Sequence, residues 1–62
     1  MKNDLTPFEK NLLRAINFKR GKRYNHTHLM EWDTRKEKVE QGLQQGEVIY
    51  EVLGCYVAIK GE

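Results

Sequence analysis

The sequence is short of the residues that stabilise many small proteins. Its 62 residues include one cysteine, Cys55, so the chain cannot form an internal disulfide. Because small secreted domains usually depend on disulfides, we predict a cytoplasmic protein. A structural zinc site normally takes four cysteine or histidine ligands, and this chain has one cysteine and two histidines. We therefore expect no metal and no cofactor.

Long apolar runs are also missing. No apolar segment approaches the roughly 20 residues that span a bilayer, and the first ten residues, MKNDLTPFEK, contain no apolar signal region. A chain of this length forms at most one domain and buries only roughly 60% of its unfolded surface. We predict one soluble domain over residues 1–62, with no membrane partner and with a core that is marginal for a monomer.

Residue patterns that support catalysis are equally absent from the sequence. It shows no Ser–His–Asp arrangement, no glycine-rich phosphate loop and no evident pair of carboxylates. His26 and His28 are two residues apart, a spacing that does not share a helix face. Cys55 lies next to Tyr56 in an apolar segment, where packing is a better interpretation than nucleophilic chemistry. We predict that the protein is not an enzyme.

The sequence does contain an uneven distribution of charge. The net charge is only +2, but residues 10–38 sum to +6 and residues 39–62 sum to −3. A basic segment is typical of a surface that binds a polyanion, and nucleic acid is the commonest polyanion. An ordinary solvated surface would explain the same charges equally well.

Two capping signals predict the starts of helices. Thr6-Pro7-Phe8-Glu9 is a capping box with proline at the first helical position, and Gly21 is the expected end of that helix. Thr34-Arg35-Lys36-Glu37 repeats the box and predicts a helix over Thr34–Gln45. Apolar residues recur at helical spacing behind both signals.

A shorter helix and a β-hairpin complete the predicted fold. The helix is expected over His26–Trp32, with Asn25 as its cap, and the hairpin joins residues 47–52 to residues 55–60 through Leu53-Gly54. The predicted class is therefore α+β, with three helices followed by a two-stranded antiparallel hairpin. One core is expected to contain one face of the hairpin and seven helical residues: Phe8, Leu12, Ile16, Leu29, Trp32, Val39 and Leu43.

The hairpin has two possible registers. A two-residue turn pairs Val52 with Cys55 and Tyr50 with Val57, and it sorts apolar residues onto one face. A three-residue loop with a bulge at Gly54 is the alternative, because Leu-Gly is not a favoured two-residue turn. The first register predicts that Val48, Tyr50, Val57 and Ile59 are more buried than Ile49, Glu51, Tyr56 and Ala58.

The order of these elements resembles the winged helix-turn-helix family. The resemblance covers residues 5–60 and rests on element order and on the segment HTHLMEWDTRKEKVEQGLQQGEVIYEVLGCYVAIK. It implies that residues 34–45 form a recognition helix and residues 47–60 a wing. The wing departs from the family because its tip lacks Arg and Lys and its strands carry Glu47 and Glu51. The turn also has Asp33 where the family favours a small residue.

The resemblance implies a protein that binds duplex DNA and acts as a transcriptional regulator or as an architectural or recombination accessory factor. From the size of the domain alone, we expect a phage or a mobile element to encode it. Lys38, Gln41 and Gln45 would read base edges. Arg35, Lys36 and Thr34 would contact phosphates near the helix start. A basic loop would reach the flanking backbone through Lys19, Arg20, Lys22 and Arg23.

A protein-interaction module is the alternative function. The C-terminal third is acidic and aromatic, and the hairpin offers the apolar residues Ile49, Leu53 and Tyr56. A homodimer would cover these residues and stabilise a marginal core. A polymerase or another DNA-processing protein would cover them equally well.

Overall fold

The computed structural model describes residues 5–61 and shows two helices and a three-stranded antiparallel sheet. Strand β3 lies between β1 and β2. Lys2, Asp4 and Glu62, which contribute to the charge sums, lie outside the described residues. In chain order the elements are α1 (Pro7–Arg20), β1 (Leu29–Asp33), α2 (Lys36–Gln41), β2 (Glu47–Val52) and β3 (Cys55–Lys60).

The fold class that the sequence predicted is wrong, because the second expected helix is a turn followed by β1. Asn25 does open this turn. Its side-chain oxygen accepts the N–H of Thr27 at 2.9 Å, and its carbonyl accepts the N–H of His28 at 2.9 Å. The same asparagine chemistry can cap a helix or open a turn. Strand pairing decides here between a helix and a turn. The backbone groups of β1 form their hydrogen bonds with β3, where Trp32 lies opposite Val57.

Helix α1 confirms the first capping box. The hydroxyl of Thr6 accepts the N–H of Glu9 at 3.2 Å, and the Glu9 carboxylate accepts the N–H of Thr6 at 3.0 Å. Gly21 ends the helix in the left-handed region, at φ 68°. Within residues 5–61, no helix combines the length and the apolar character that crossing a membrane requires.

Helix α2 is half as long as the 34–45 helix predicted from the second capping box. Thr34 supplies no cap; instead, Oδ1 of Asp33 accepts the N–H of Arg35 at 2.9 Å, and the helix begins one residue later. It ends before Gly42, whose missing side chain leaves room for the Glu31 carboxylate, because an added Cβ would lie 2.6 Å from Oε1. Asp33 therefore satisfies the N–H of Arg35, and no side chain among residues 5–61 caps the N-terminus of α2.

The hairpin register is confirmed. Every pair from Glu47 and Lys60 to Val52 and Cys55 follows the two-residue turn, so the bulged alternative does not form. Leu53 and Gly54 both have positive φ, 52° and 75°, as the common tight hairpin turn requires. Glycine adopts this region freely, but a leucine there costs about 1–2 kcal/mol.

The two helices lie on opposite faces of the sheet. Helix α1 packs on the face that carries Val57 and Ile59, whereas α2 lies over the face that carries Ala58. Helix α1 runs from one edge strand to the other. The Phe8 ring lies 5.1 Å from the Trp32 ring of β1 at one end. At the other end, Arg20 lies over Tyr50 of β2.

Because the helices lie on opposite faces, the predicted core and the predicted order of burial are partly wrong. Val39 is fully buried, but it lies on the α2 side and not in the α1 core. Phe8 and Leu43 are exposed to 41% and 38%. On the hairpin, Val48 was predicted to be more buried than Ala58, but Val48 is 40% exposed and Ala58 is fully buried. The main core contains Leu12, Leu13, Ile16, Tyr24, Val52, Cys55, Val57 and Ile59, with Leu29 and Trp32 partly buried against it.

The two capping boxes offer a matched pair of substitutions. Thr6→Ala removes a side-chain cap and should lower the free energy of unfolding by about 1 kcal/mol. Thr34→Ala, the same change in a box that does not form, should leave it within about 0.3 kcal/mol. Urea titrations followed by the fluorescence of the only tryptophan measure both. Equal losses in the two variants would contradict the assignment of the caps.

Glu9 makes the stability depend on pH. The backbone N–H of Thr6, and after it the indole N–H of Trp32 at 3.0 Å, lower the pKa of the Glu9 carboxyl below 4.5. The ionised carboxylate therefore stabilises the fold above its ordinary pKa, and this contribution is lost as the pH falls through the lowered value of the folded state.

Glu9→Gln should therefore lower the free energy of unfolding by roughly 0.5 kcal/mol at neutral pH. The difference from the wild type should shrink as the protein is acidified from about pH 7 to about pH 2. Urea titrations across this range measure it. A difference that stays constant with pH would show that the Glu9 charge does not contribute.

Candidate functional site

The basic residues of α1 and of the loop after it form a segment without a single acidic residue. Residues 10–23 contain six cations and no carboxylate, whereas the described residues after Arg23 carry more acidic than basic side chains. All six cations are exposed. We call this set the α1 cations: Lys10, Arg14, Lys19, Arg20, Lys22 and Arg23.

The α1 cations have no carboxylate partner among residues 5–61. The ion pairs of this part of the chain lie near α2, where Arg35 is 3.5 Å from Asp33 and Lys36 is 3.9 Å from Glu40. Charges without a partner keep their full attraction for an external anion. The α1 cations are therefore the part of the described surface best suited to a polyanion.

The loop that carries Lys22 is held in place by the end of α1. The Asn17 side chain donates to the carbonyl of Tyr24 at 2.9 Å and accepts the N–H of Tyr24 at 2.8 Å. The Tyr24 ring is buried, and its hydroxyl lies 3.4 Å from the hydroxyl of Tyr50. These contacts fix the backbone of the loop, so its cations project from a defined position.

Arg20 is the one α1 cation with an aromatic contact in the structure. Its guanidinium lies 5.3 Å from the centre of the Tyr50 ring on β2. A cation over the face of a tyrosine is held by roughly 0.5–1 kcal/mol at an exposed site. The contact orients Arg20 and leaves its charge available.

The predicted α2 residues lie on the other side of the sheet from the predicted basic loop. No single flat surface contains both groups, although the sequence interpretation joined them in one DNA-binding face. The α2 cations also alternate with Glu37 and Glu40. The backbone N–H of Arg35, and then its charge, lower the pKa of the Asp33 carboxyl. This second group contains Thr34, Arg35, Lys36, Lys38, Gln41 and Gln45, of which Gln45 lies in a turn beyond the helix.

The three predicted protein-interface residues also separate. Ile49 and Tyr56 line a groove between α2 and β2, together with Leu43 and with glutamates at its rim. Leu53 lies at the hairpin tip, where it borders a different groove against α1. The hairpin does not present the three residues as one patch, because Leu53 lies in the turn between β2 and β3, at a φ of 52°, and not on the strand face that carries Ile49 and Tyr56.

The groove against α1 contains a residue that the sequence interpretation missed. Phe18 is 92% exposed, and it lines an apolar groove with Ala15 and Leu53, bordered by Asn11 and Arg14. The sequence carried a signal for it, since Asn11, Arg14 and Phe18 share the helix face opposite Leu12 and Ile16. Phe18 is absent from the predicted site residues because the prediction rested on charge alone.

The surface of α1 offers exposed charges, an exposed aromatic ring and side-chain amides that can form hydrogen bonds. Among residues 5–61, no three side chains of His, Cys, Asp and Glu lie close enough together to hold a metal ion. The Cys55 thiol is buried in the core and packs there.

Comparisons of the chain with protein-family models, with curated proteins and with solved structures find no match.

Proposed function

We propose that the protein is a non-catalytic DNA-binding protein that uses the α1 cations. The observation that carries this proposal is the composition of residues 10–23, which carry six exposed cations and no carboxylate on α1 and the loop after it. A small domain with such a surface fits an accessory role in regulation or in the organisation of DNA.

The attraction to DNA comes mainly from the release of counterions. Each phosphate that a lysine or arginine neutralises sets free bound cations, so affinity falls steeply as salt rises, with a slope of roughly −0.9 per contact on duplex DNA. If four to six of the α1 cations engage phosphates, the expected slope is about −4 to −5.

The opposite side of the molecule sets the orientation. Glu31, Glu47 and Glu51 lie on the sheet face under α2, and α2 itself carries two further glutamates. A polyanion is repelled from this side. The α1 side of the molecule therefore faces the DNA. The contacts that the sequence predicted for α2 contribute less to the affinity.

Two double substitutions of equal charge test which side binds. Lys22→Ala with Arg23→Ala should weaken binding to a short labelled DNA and reduce the salt slope by about 2. Lys36→Ala with Lys38→Ala, on the α2 side, should change neither by more than about twofold. Fluorescence anisotropy over a salt series measures both quantities. A larger loss of affinity in the α2 variant would show that DNA binds on the α2 side. A wild-type protein that binds no DNA at low salt would contradict the proposal.

A second candidate function is self-association through the groove between α2 and β2. Leu43, Ile49 and Tyr56 supply its apolar surface, and Glu47 and Glu51 lie among its lining residues. The α1 surface of a second copy offers cations next to the apolar residues Phe18 and Leu53, which is a complementary composition.

Ile49→Asp tests this second candidate. The substitution adds a charge to the groove and should abolish the oligomers that the wild type forms at roughly tens of micromolar, a concentration typical of weak association. Because the groove and the α1 surface lie on opposite faces, the copies join head to tail and the assembly grows beyond a dimer. Sedimentation velocity measures the change, and circular dichroism confirms that the variant is folded. A wild-type chain that stays monomeric at these concentrations would exclude the candidate.

A further inference from the structure

Phe18 is the most exposed of the large apolar side chains that the structure describes. It is 92% exposed, and it belongs to a helix whose other exposed residues are mainly polar or charged. An aromatic ring in this setting adds nothing to the core. Cations lie on both sides of it in the sequence, at Arg14 and Lys19.

Leu53 faces the same groove from the hairpin tip. Its φ of 52° is in the left-handed region, where glycine or asparagine is more favourable than leucine, and its side chain is 58% exposed. Leucine at this position therefore lowers the stability of the turn and exposes apolar surface. Strain and exposure at one residue indicate a contact outside the folded chain.

The groove between these two residues has the composition that an unpaired nucleotide requires. The small residue Ala15 also lines the groove. Arg14 supplies a charge for phosphate, and Asn11 supplies an amide that can donate to or accept from a base edge. Phe18 offers an aromatic face. Proteins that bind single strands combine aromatic side chains for stacking with a cationic path for the backbone.

We propose that this groove binds an unpaired base of single-stranded DNA, with Phe18 as the stacking residue and Leu53 as the opposite apolar contact. The inference rests on the proposed function, because the α1 cations supply the general attraction to the polyanion. It adds a preference for single-stranded over duplex DNA, because the faces of bases in a duplex are already stacked on one another and are not available to Phe18.

Anisotropy titrations with a labelled thymidine oligonucleotide and with a duplex of the same length test the preference. The wild type should bind the single strand more tightly at equal salt. Phe18→Ala should weaken single-strand binding by about 5- to 100-fold and leave duplex binding unchanged. The variant keeps all the α1 cations but lacks the ring that stacks on a base. Phe18→Trp should restore the affinity. Neither change affects a buried side chain, so both variants should remain folded.

Leu53→Asn gives an independent test. Asparagine is favoured in the left-handed turn position, so this variant should unfold at a higher temperature than the wild type while it binds the single strand more weakly. Loss of binding with gain of stability cannot result from misfolding. A variant that keeps full single-strand affinity would remove Leu53 from the site.

The possible results separate the inference from the function on which it rests. If neither DNA binds at low salt, the proposed function fails. If both bind with equal affinity and Phe18→Ala changes neither, the DNA-binding function stands and the stacking site is wrong. If Phe18→Ala instead abolishes self-association in sedimentation and leaves DNA binding intact, the groove is a protein interface and the inference is overturned.

Discussion

The structure depends on the pairing of β3 with a strand on each side. Val57, Ala58 and Ile59 are fully buried because they lie at the centre of the sheet and a helix covers each face. Without β1 the sheet would be an isolated hairpin, which is marginal in water. With β1 in place, the backbone groups of the central strand are satisfied on both edges, and both faces of β3 become apolar contacts.

This central strand also separates the charges. Because α1 and α2 lie on opposite faces, the cations that follow one another in the sequence divide into two groups. The α1 group has no carboxylate partner within the described residues, whereas the α2 group pairs with Asp33 and Glu40. The layering converts a net charge of only +2 into a molecule with one basic side and one acid-rich side. A molecule polarised in this way has a preferred approach to a polyanion although its total charge is small.

The features that carry the functional proposals are those that do not help folding. Phe18 is exposed on a helix that already has enough apolar residues for the core, and Leu53 occupies a turn position that disfavours it. The cations of residues 10–23 repel one another. Departures from local preference of this kind are expected at functional or strained sites.

The sequence alone determined the features that depend on neighbours along the chain. The capping box at Thr6, the end of α1 at Gly21 and the hairpin register follow from residues within a few positions of one another, and all three were predicted correctly. The basic segment was also visible, because charge is a property of composition. Its exposure could be expected from the spacing of Leu12 and Ile16 on the buried side.

Only the tertiary structure decided between local alternatives of similar energy. Residues 26–32 satisfy a short helix or a strand, and the open edge of β3 selected the strand. Helix α2 begins two residues later than predicted and ends before Gly42, where the Glu31 carboxylate of β1 approaches the chain. The division of the predicted site followed from these choices, because the segment between α1 and α2 became a strand at the sheet edge. That strand leads the chain from the α1 face to the α2 face, a step that no local pattern encodes.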